Sequence, residues 1–219
     1  QFQAMEETLH EAWESNALEW TRAVRENVIP SRNRVTNAAI LEAIKRCRGE
    51  CVLDLGCGEG WLCRELLRLG WKTWGVDSSP TLIKLAEENG PGRYHCGSYL
   101  ELDTLFQANS FDLVVANFSL LGEQSAETAL TKTRALLKPE GVFLIQTLNP
   151  KTLNHTGWQT ETWESLGTLR CSPSPWYSRT LQGWTELFDS CQWKMEEALW
   201  PRHPADPEPS SVIFRLSVS

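Results

Sequence analysis

The sequence predicts an α/β fold in which a mainly parallel sheet carries helices on both faces. Three observations lead to this prediction. From residue 51 onwards, short apolar runs alternate with helical segments, as expected for strands that are buried on both faces and joined by crossover helices. A glycine-rich turn follows the first apolar run. The 219 residues are enough for one such domain with additional segments.

The segment before the sheet is predicted to be helical. Residues 3–27 contain few helix breakers, and Pro30 ends this helix. Residues 31–34 form a polar joint. A second helix is predicted over residues 36–47, because its apolar side chains recur on one face.

Seven strands are predicted in the remainder of the chain. They cover residues 51–55, 72–76, 93–96, 111–116, 142–147, 193–199 and 212–218. The helices between them are predicted over residues 61–69, 79–89, 123–137 and 181–189. Residues 139–141 form a turn into the fifth strand. Residues 149–177 break the alternation, and their Pro, Gly, Ser and Trp residues indicate an insertion.

The turn after the first strand carries the pattern that points to chemistry. In Asp54-x-Gly56-x-Gly58-x-Gly60, glycines let the backbone approach a ligand, and the following helix offers free N–H groups. Asp77 ends the next strand, and ligands of open α/β sheets bind at these strand ends. Its carboxylate can accept both ribose hydroxyls of an adenosine.

Two cofactors compete for a turn of this kind. The dinucleotide fingerprint is Gly-x-Gly-x-x-Gly, which rests a pyrophosphate on the helix. Here the spacing is Gly-x-Gly-x-Gly, and Asp54 stands two residues before the first glycine. A carboxylate there would repel a pyrophosphate, whereas it is compatible with the ammonium group of a methionine. We therefore favour S-adenosylmethionine over a nicotinamide dinucleotide.

Four segments, in order and at family spacing, resemble motifs of the class I S-adenosylmethionine-dependent methyltransferases. They are residues 52–62, 75–79, 111–117 and 136–142. The resemblance is nearest to small-molecule enzymes of the ubiquinone-biosynthesis O-methyltransferase type. It implies a Rossmann-like, mainly parallel seven-stranded sheet whose last strand is antiparallel. It also implies an N-terminal helical lid over residues 1–48 and a core over residues 49–219, with the insertion at about 149–177.

The resemblance also implies which residues bind the cofactor. These are Arg32, Asp54, Gly56, Cys57, Gly58, Trp61, Leu62, Asp77, Ser78, Ser98, Tyr99, Leu100, Asn117 and Phe118. Arg32 is expected to meet the cofactor carboxylate, with Arg34 as the alternative, and either one could be a surface arginine. Many family members have Asp where this chain has Ser98, so that contact departs from the pattern.

The acceptor site is expected to involve the insertion. Most of the eleven Trp residues are expected in the core, but Trp158, Trp163 and Trp176 lie in a turn-rich stretch that suits a pocket wall. Arg179 could hold an acidic group or cap the next helix. An oxygen acceptor benefits from a general base. His155 and Tyr177 are the predicted catalytic residues, and the other candidate bases are Glu161 and His203.

Composition narrows the possible partners. The formal charge of −7 and the absence of a basic run argue against a nucleic-acid binder. Seven cysteines without a Cys-x-x-Cys pair predict reduced thiols in a cytoplasmic protein and no metal site. Neither a signal-like segment nor a membrane-spanning run is evident.

Three functional hypotheses follow. The first is methyl transfer to a small molecule, at oxygen rather than nitrogen or carbon. The second is a cofactor-binding regulatory module without turnover, because no clear base is evident. The third is methylation of RNA or protein. The acidic charge argues against RNA, and so does the segment 117–120, Asn-Phe-Ser-Leu, which lacks the Asn-Pro-Pro-Tyr-like pattern of amino-directed base methylation.

Overall fold

A seven-stranded sheet forms the centre of the computed structural model, which describes residues 2–218. The strands of the protein are β1 (Cys51–Leu55), β2 (Lys72–Asp77), β3 (Arg93–Cys96), β4 (Phe111–Asn117), β5 (Leu137–Leu148), β6 (Gly157–Glu161), β7 (Ser174–Ser178), β8 (Trp193–Leu199) and β9 (Ser211–Val218). The helices are α1 (Phe2–Ser15), α2 (Ala17–Arg25), α3 (Asn37–Lys45), α4 (Trp61–Arg68), α5 (Pro80–Glu88), α6 (Leu102–Leu105), α7 (Gln124–Leu136) and α8 (Leu181–Ser190).

The order of the strands in the large sheet is β3-β2-β1-β4-β5-β9-β8. Adjacent strands among the first five are parallel, and β9 is antiparallel to both β5 and β8. The predicted mainly parallel sheet with an antiparallel last strand is therefore confirmed. The order reverses beside β1, and ligands of open α/β sheets bind at such a switch point.

Helices cover both faces of the sheet, as predicted. Consecutive side chains of a strand point to opposite faces, so Val52 and Leu53 join different clusters. On one face Val52 packs with Ile40 and Ile44 of α3 and with apolar residues of α4. On the other face Leu53 belongs to a larger cluster with residues of α7 and α8. Burial on both sides explains why these strands are continuous apolar runs.

The N-terminal prediction needs two corrections. Residues 3–27 form two helices, because α1 ends at Ser15 and α2 begins at Ala17. Asn16 separates them, and its buried amide exchanges two hydrogen bonds with the backbone of Ser172, of 2.9 and 2.7 Å. Residues 31–34 are not a polar joint. They belong to a helical stretch that begins at Pro30 and includes a π-helical turn, Arg32–Thr36.

Two further corrections concern the second half of the chain. The turn predicted at residues 139–141 lies inside β5, which begins at Leu137. Leu137 pairs with Phe111 and Val142 with Leu113, so the intervening residues bulge out of the ladder. The insertion is also more regular than predicted, because β6 and β7 form an antiparallel two-stranded sheet.

The N-terminal helices lie over one edge of the large sheet and on the insertion. Helix α1 packs against β7 and α5, and α2 packs against α5. Between residues 2 and 218, no helix has both the length and the apolar character needed to cross a membrane.

Candidate active site

A cavity of about 560 Å³ lies at the carboxyl ends of the central strands. Its floor consists of the loops that follow β1, β2, β3 and β4, and its roof consists of α1 and α2. Most of the positions predicted to bind the cofactor lie on its wall: Arg32, Gly56, Cys57, Gly58, Trp61, Asp77, Ser78, Ser98, Tyr99, Asn117 and Phe118. Asp54, Leu62 and Leu100 do not line it.

The glycine turn between β1 and α4 forms the centre of the floor. Gly56 and Gly58 have φ angles of +72° and +55°, a region that favours glycine. A Cβ atom at Gly56 would collide with the side chain of Ser119, whereas one at Gly58 would meet no protein atom within 4 Å. Gly58 therefore faces open cavity. Its bare backbone lets a ligand approach closely, as the sequence predicted for this turn.

Two aspartates, Asp54 and Asp77, lie next to the glycine turn. The two carboxylate oxygens of Asp77 accept hydrogen bonds from the N–H groups of Gly58 (3.0 Å) and Ser79 (2.9 Å). Burial raises the pKa of Asp77, and these bonds partly offset the increase. Asp54 lies beneath the turn, fully buried, and accepts a bond from the Cys63 thiol. Burial raises the pKa of Asp54 to about 7.

The wall after β3 carries polar groups suited to an adenine ring. Ser98 begins a short 3₁₀ turn, and it forms a reciprocal capping box with Glu101. Both residues line the cavity, so Glu101 supplies a carboxylate beside the serine that departs from the family pattern. Tyr99 donates a 2.9 Å hydrogen bond to the Ser119 carbonyl. Leu100 points away from the cavity and is 68% exposed.

The end of β4 lies where the reactive part of a cofactor would be expected. The side-chain oxygen of Asn117 accepts a 2.7 Å hydrogen bond from Gln146, which fixes the orientation of the amide. Phe118 follows with a φ of +55°, an uncommon conformation for a bulky residue. Strained residues of this kind concentrate at functional sites. The Phe118 side chain faces two cavities, described below.

Helix α1 is held over the cavity by two side chains that lie about two turns apart. Glu6 accepts hydrogen bonds from the first N–H groups of α7, Gln124 (2.8 Å) and Ser125 (3.2 Å). Glu14 accepts bonds from Ser79 and Thr81 at the start of α5. Carboxylates at helix N-termini are stabilising. The roof is thus attached on both sides of the cavity.

Arg32 is the arginine whose side chain lines this cavity. Its guanidinium group stacks over the Trp20 and Trp61 rings, with 5.6 and 5.1 Å between the guanidinium carbon and the ring centroids. The side chain is 8% exposed, and Nη2 is buried without a hydrogen-bond partner. Burial lowers the pKa of Arg32 to about 10, and the nearby Glu59 opposes this shift. By contrast, Arg34 is exposed and bonds to His203.

Glu59 is a site residue that the sequence did not reveal. It lines the cavity, is 1% exposed and binds two guanidinium groups, those of Arg25 (3.0 Å) and Arg64 (2.7 Å). Since Arg32 lies close as well, one carboxylate serves three cations. The residue is a variable position of the glycine motif, so its spacing gave no signal. Glu101, by contrast, could have been found from the sequence, because Ser98-x-x-Glu101 is the capping-box pattern.

A second, smaller cavity of about 210 Å³ adjoins the first. The two share Trp13, Trp20, Arg32, Phe118 and Leu121 as wall residues. The remaining wall of the second cavity comes from the π-helical turn, the end of β5 and the insertion. The predicted substrate residues Trp163 and Trp176 line it, and Glu161 does so as well.

Several predicted acceptor residues lie elsewhere. His155 is exposed on the loop before β6. Tyr177 packs against Trp158 and under Arg179, and these three line neither cavity. The guanidinium of Arg179 donates to the carbonyls of Gly122 and Glu123, so it holds backbone and does not face an acceptor. The geometry gives no support to His155 or Tyr177 as the base.

Comparison with known proteins agrees with this geometry. Residues 53–145 match the methyltransferase domain family. A ubiquinone biosynthesis O-methyltransferase of Rhodopseudomonas palustris (strain HaA2) is 33% identical over 118 residues, which are 52% of this chain and 44% of that protein. The chain therefore matches less than half the length of this curated relative.

Solved structures show the same fold at low sequence identity. An S-adenosylmethionine-dependent methyltransferase from Mesorhizobium loti superposes with a TM-score of 0.64 and 19% identity, over 82% of this chain and 95% of that one. The glycopeptide N-methyltransferase MtfA, in complex with S-adenosylmethionine, gives 0.64 and 13% over 83% and 86%. The chain thus carries a methyltransferase-domain match over residues 53–145 and shares its fold with solved S-adenosylmethionine-dependent methyltransferases.

The residues present fit this cofactor. The open space over Gly58 accommodates a ligand against bare backbone. The Asp77 carboxylate faces the same cavity and can accept from ribose hydroxyls. The unpartnered, buried guanidinium of Arg32 matches a carboxylate. Gly58, Asp77 and Arg32 all line this one cavity.

Proposed function

We propose that this protein transfers a methyl group from S-adenosylmethionine to an oxygen atom of a small, largely apolar acceptor. The observation that carries the proposal is the shared wall between the two cavities. The larger cavity fits the cofactor, and the smaller, more apolar cavity beside it suits an acceptor with aromatic character. Phe118 and Arg32 lie on the boundary, where the methyl group would have to pass.

In this proposal the chain's residues bind, orient and exclude water. S-adenosylmethionine, when bound, supplies a methyl carbon already activated by the sulfonium. Asp77 holds the ribose, Arg32 holds the methionine carboxylate, and Ser98 and Glu101 face the adenine. Trp13 and Trp20 close the boundary from above. Positioning and desolvation of the acceptor then account for most of the catalysis.

Glu161 is the proposed base for an acceptor hydroxyl. Among the four candidate bases, it is the one whose side chain lines either cavity. One of its carboxylate oxygens accepts a 2.7 Å hydrogen bond from the backbone N–H of Trp163, which orients the carboxylate. His203 is engaged by Arg34 and by the N–H of Ala205. Glu161 therefore replaces His155 and Tyr177 in our proposal.

The net charge of −7 supports a small-molecule acceptor over a nucleic acid, because phosphate binding requires clustered cations. Of the three arginines near the site, Arg25 and Arg64 are already paired with Glu59, which leaves Arg32. We also propose a reducing, cytoplasmic setting, since all seven cysteines are free.

Two measurements test the proposal. Isothermal titration should show S-adenosylhomocysteine binding, and failure to bind would remove the basis of the proposal. Methyl-labelled S-adenosylmethionine is then incubated with the protein and a fractionated metabolite extract, and label should appear in a small organic molecule. Binding without transfer to any fraction would favour the regulatory module instead. Label recovered only in RNA or protein would contradict a small-molecule acceptor.

A further inference from the structure

The π-helical turn Arg32–Thr36 brings two unsatisfied polar groups to the second cavity. Arg32 Nη2 and Thr36 Oγ1 are buried, and neither has a hydrogen-bond partner. The two side chains are 8% and 2% exposed, and both line the cavity. Buried polar groups are nearly always hydrogen-bonded. Two such groups on one wall therefore point to a polar ligand group that binds both.

The geometry of the π-helical turn places the side chains of Arg32 and Thr36 on the same side of the helix. A π-helix bonds residue i to residue i+5, so its turn is wider than that of an α-helix. Residues four apart, such as Arg32 and Thr36, then lie on nearly the same side of the axis. Single π-helical turns occur frequently at functional sites. The Thr36 carbonyl accepts a 3.1 Å hydrogen bond from Gln146, which ties the turn to β5.

The chemistry of this pair selects a carboxylate. A guanidinium group presents planar N–H donors that match a carboxylate, and a hydroxyl adds a third donor. The rest of the wall has a mostly apolar surface and includes Trp163, Trp176 and Phe118, but it also carries Glu161 and several serine residues. The cavity therefore offers one anion-binding corner in an aromatic enclosure. The acid on its wall, Glu161, belongs to β6, a different element from the π-helical turn.

We propose that the acceptor is an aromatic carboxylic acid, held by Arg32 and Thr36, and that its carboxylate oxygen receives the methyl group. This inference rests on the proposed function and names its substrate class. Arg32 lines both cavities, so an oxygen bound to it lies at the boundary between acceptor and cofactor. In this arrangement the acceptor carboxylate binds Arg32 Nη2, and the methionine carboxylate is left to the other nitrogens of the guanidinium.

The step balances without a base. A carboxylate oxygen attacks the methyl carbon as the carbon–sulfur bond breaks, and the sulfur keeps that electron pair. The products are a methyl ester and S-adenosylhomocysteine. Because an aromatic acid is already ionised at neutral pH, no proton has to be removed.

Ligand binding to the full chain, saturated with S-adenosylhomocysteine, provides the first test. Benzoate and its neutral analogue benzamide are titrated by intrinsic tryptophan fluorescence. We expect benzoate to bind about 10-fold more tightly, since hydrogen bonds to charged groups are the strong ones. Thr36→Val should remove most of that preference and leave the Kd of S-adenosylhomocysteine unchanged. Thr160→Val, an exposed threonine on β6, is the matched control.

The outcomes of this test are distinct. Equal affinity for benzoate and benzamide, or a preference that survives Thr36→Val, overturns the acid-binding corner. If S-adenosylhomocysteine itself does not bind, the proposed function fails before the acid is tested. A folding defect in the Thr36 variant would show as weaker S-adenosylhomocysteine binding, and Thr36→Ser, which restores the hydroxyl, should then recover the benzoate preference.

Product analysis provides the second test. Methyl-labelled S-adenosylmethionine is incubated with benzoate, trans-cinnamate and indole-3-acetate, and the product is treated with alkali. Label released as methanol identifies an ester. Alkali-stable label, or no transfer to any of the three acids, overturns the assignment.

Discussion

The two cavities that meet at Arg32 are built in different ways. The cofactor cavity takes its floor from loops that directly follow consecutive strands, and its wall includes the carboxylates of Glu59, Asp77 and Glu101. The second cavity takes its wall from α1, α2, the π-helical turn and the insertion, which lie far apart along the chain. Its surface is mostly apolar and includes five aromatic side chains. One cavity is therefore set by the sheet, and the other by segments added around it.

Because the two cavities are built from different segments, substitutions in one set of segments should affect one cavity and not the other. On the proposed function, changes at the strand ends should act on the methyl donor, because backbone geometry, Asp54 and Asp77 shape that cavity. Changes in the added segments should act on the acceptor. Arg32 belongs to both, so its variants should affect both. The following predictions test this division, beginning with the largest expected effect.

Gly58→Val should abolish cofactor binding, with a loss in affinity for S-adenosylhomocysteine of more than about 100-fold. The new side chain would fill the space where the ligand lies against the backbone, and the φ of +55° would add about 1–2 kcal/mol of strain. Isothermal titration measures the loss. Gly70→Val is the matched control, because Gly70 also has a positive φ (+93°) and an open surrounding but lies outside both cavities. Equal losses in both variants would show strain alone.

Asp54→Asn should make the stability of the free protein less dependent on pH. Folded Asp54 keeps its proton up to a pKa of about 7, whereas the unfolded residue loses it near 3.8. This contribution to the free energy of unfolding is therefore present below about pH 4 and is lost as pH rises to about 7. Relative to wild type, the variant should gain about 2–4 kcal/mol between pH 4.5 and 7.5.

Urea unfolding at both pH values measures this gain. Asp189→Asn, an exposed position on α8, should show no such difference between the two pH values. A constant difference for Asp54→Asn would mean that Asp54 is ionised in the folded protein.

Arg32→Met should weaken S-adenosylhomocysteine binding by about 10–50-fold, because a charge-assisted hydrogen bond is lost from a buried site. Stacking on Trp20 and Trp61 is largely retained by the long apolar side chain. Arg34→Met serves as the control, since Arg34 lies on the same turn but faces solvent. A larger effect at Arg34 would assign the cofactor carboxylate to the rival residue.

The double variant Glu6→Gln and Glu14→Gln should have the smallest effect. Removing two carboxylates from the starts of α7 and α5 weakens the attachment of α1 by about 0.3–1 kcal/mol for each contact. Release of S-adenosylhomocysteine, followed by stopped-flow tryptophan fluorescence, should become about 3–10-fold faster. Glu7→Gln on the exposed face of α1 should leave the rate unchanged. An unchanged rate in the double variant would mean that α1 does not retain the ligand.

The parts predicted well from sequence are those whose signal is local. The strand Arg93–Cys96 and the strand Trp193–Leu199 have the predicted bounds, and every strand of the large sheet was anticipated. The glycine turn and Asp77 are adjacent to strands that any doubly wound fold places side by side. Their meeting at one cavity follows from topology, so a motif was sufficient.

The parts predicted poorly depend on contacts between distant segments. Asn16 breaks the first helix because its partner is Ser172, 156 residues away. The exposure of His155 and the structural role of Arg179 depend on how the insertion folds back, and no periodicity encodes that. Glu59 is buried because two arginines from different helices converge on it. Sequence proximity to a motif therefore brought most of the predicted cofactor residues to one cavity, whereas the predicted acceptor residues are scattered.

The pair Asn16–Ser172 has a consequence for how such enzymes diversify. The same amide that separates α1 from α2 also satisfies the backbone of the insertion. If the β6–β7 hairpin alone were replaced by that of a relative, the buried amide of Asn16 would lose its partners. The roof of the cofactor cavity, which is formed by α1 and α2, would then shift. The residues that would set acceptor preference therefore lie in two segments, separate in sequence, that have to change together. To exchange this preference between homologues, the N-terminal helices and the hairpin would have to be grafted together.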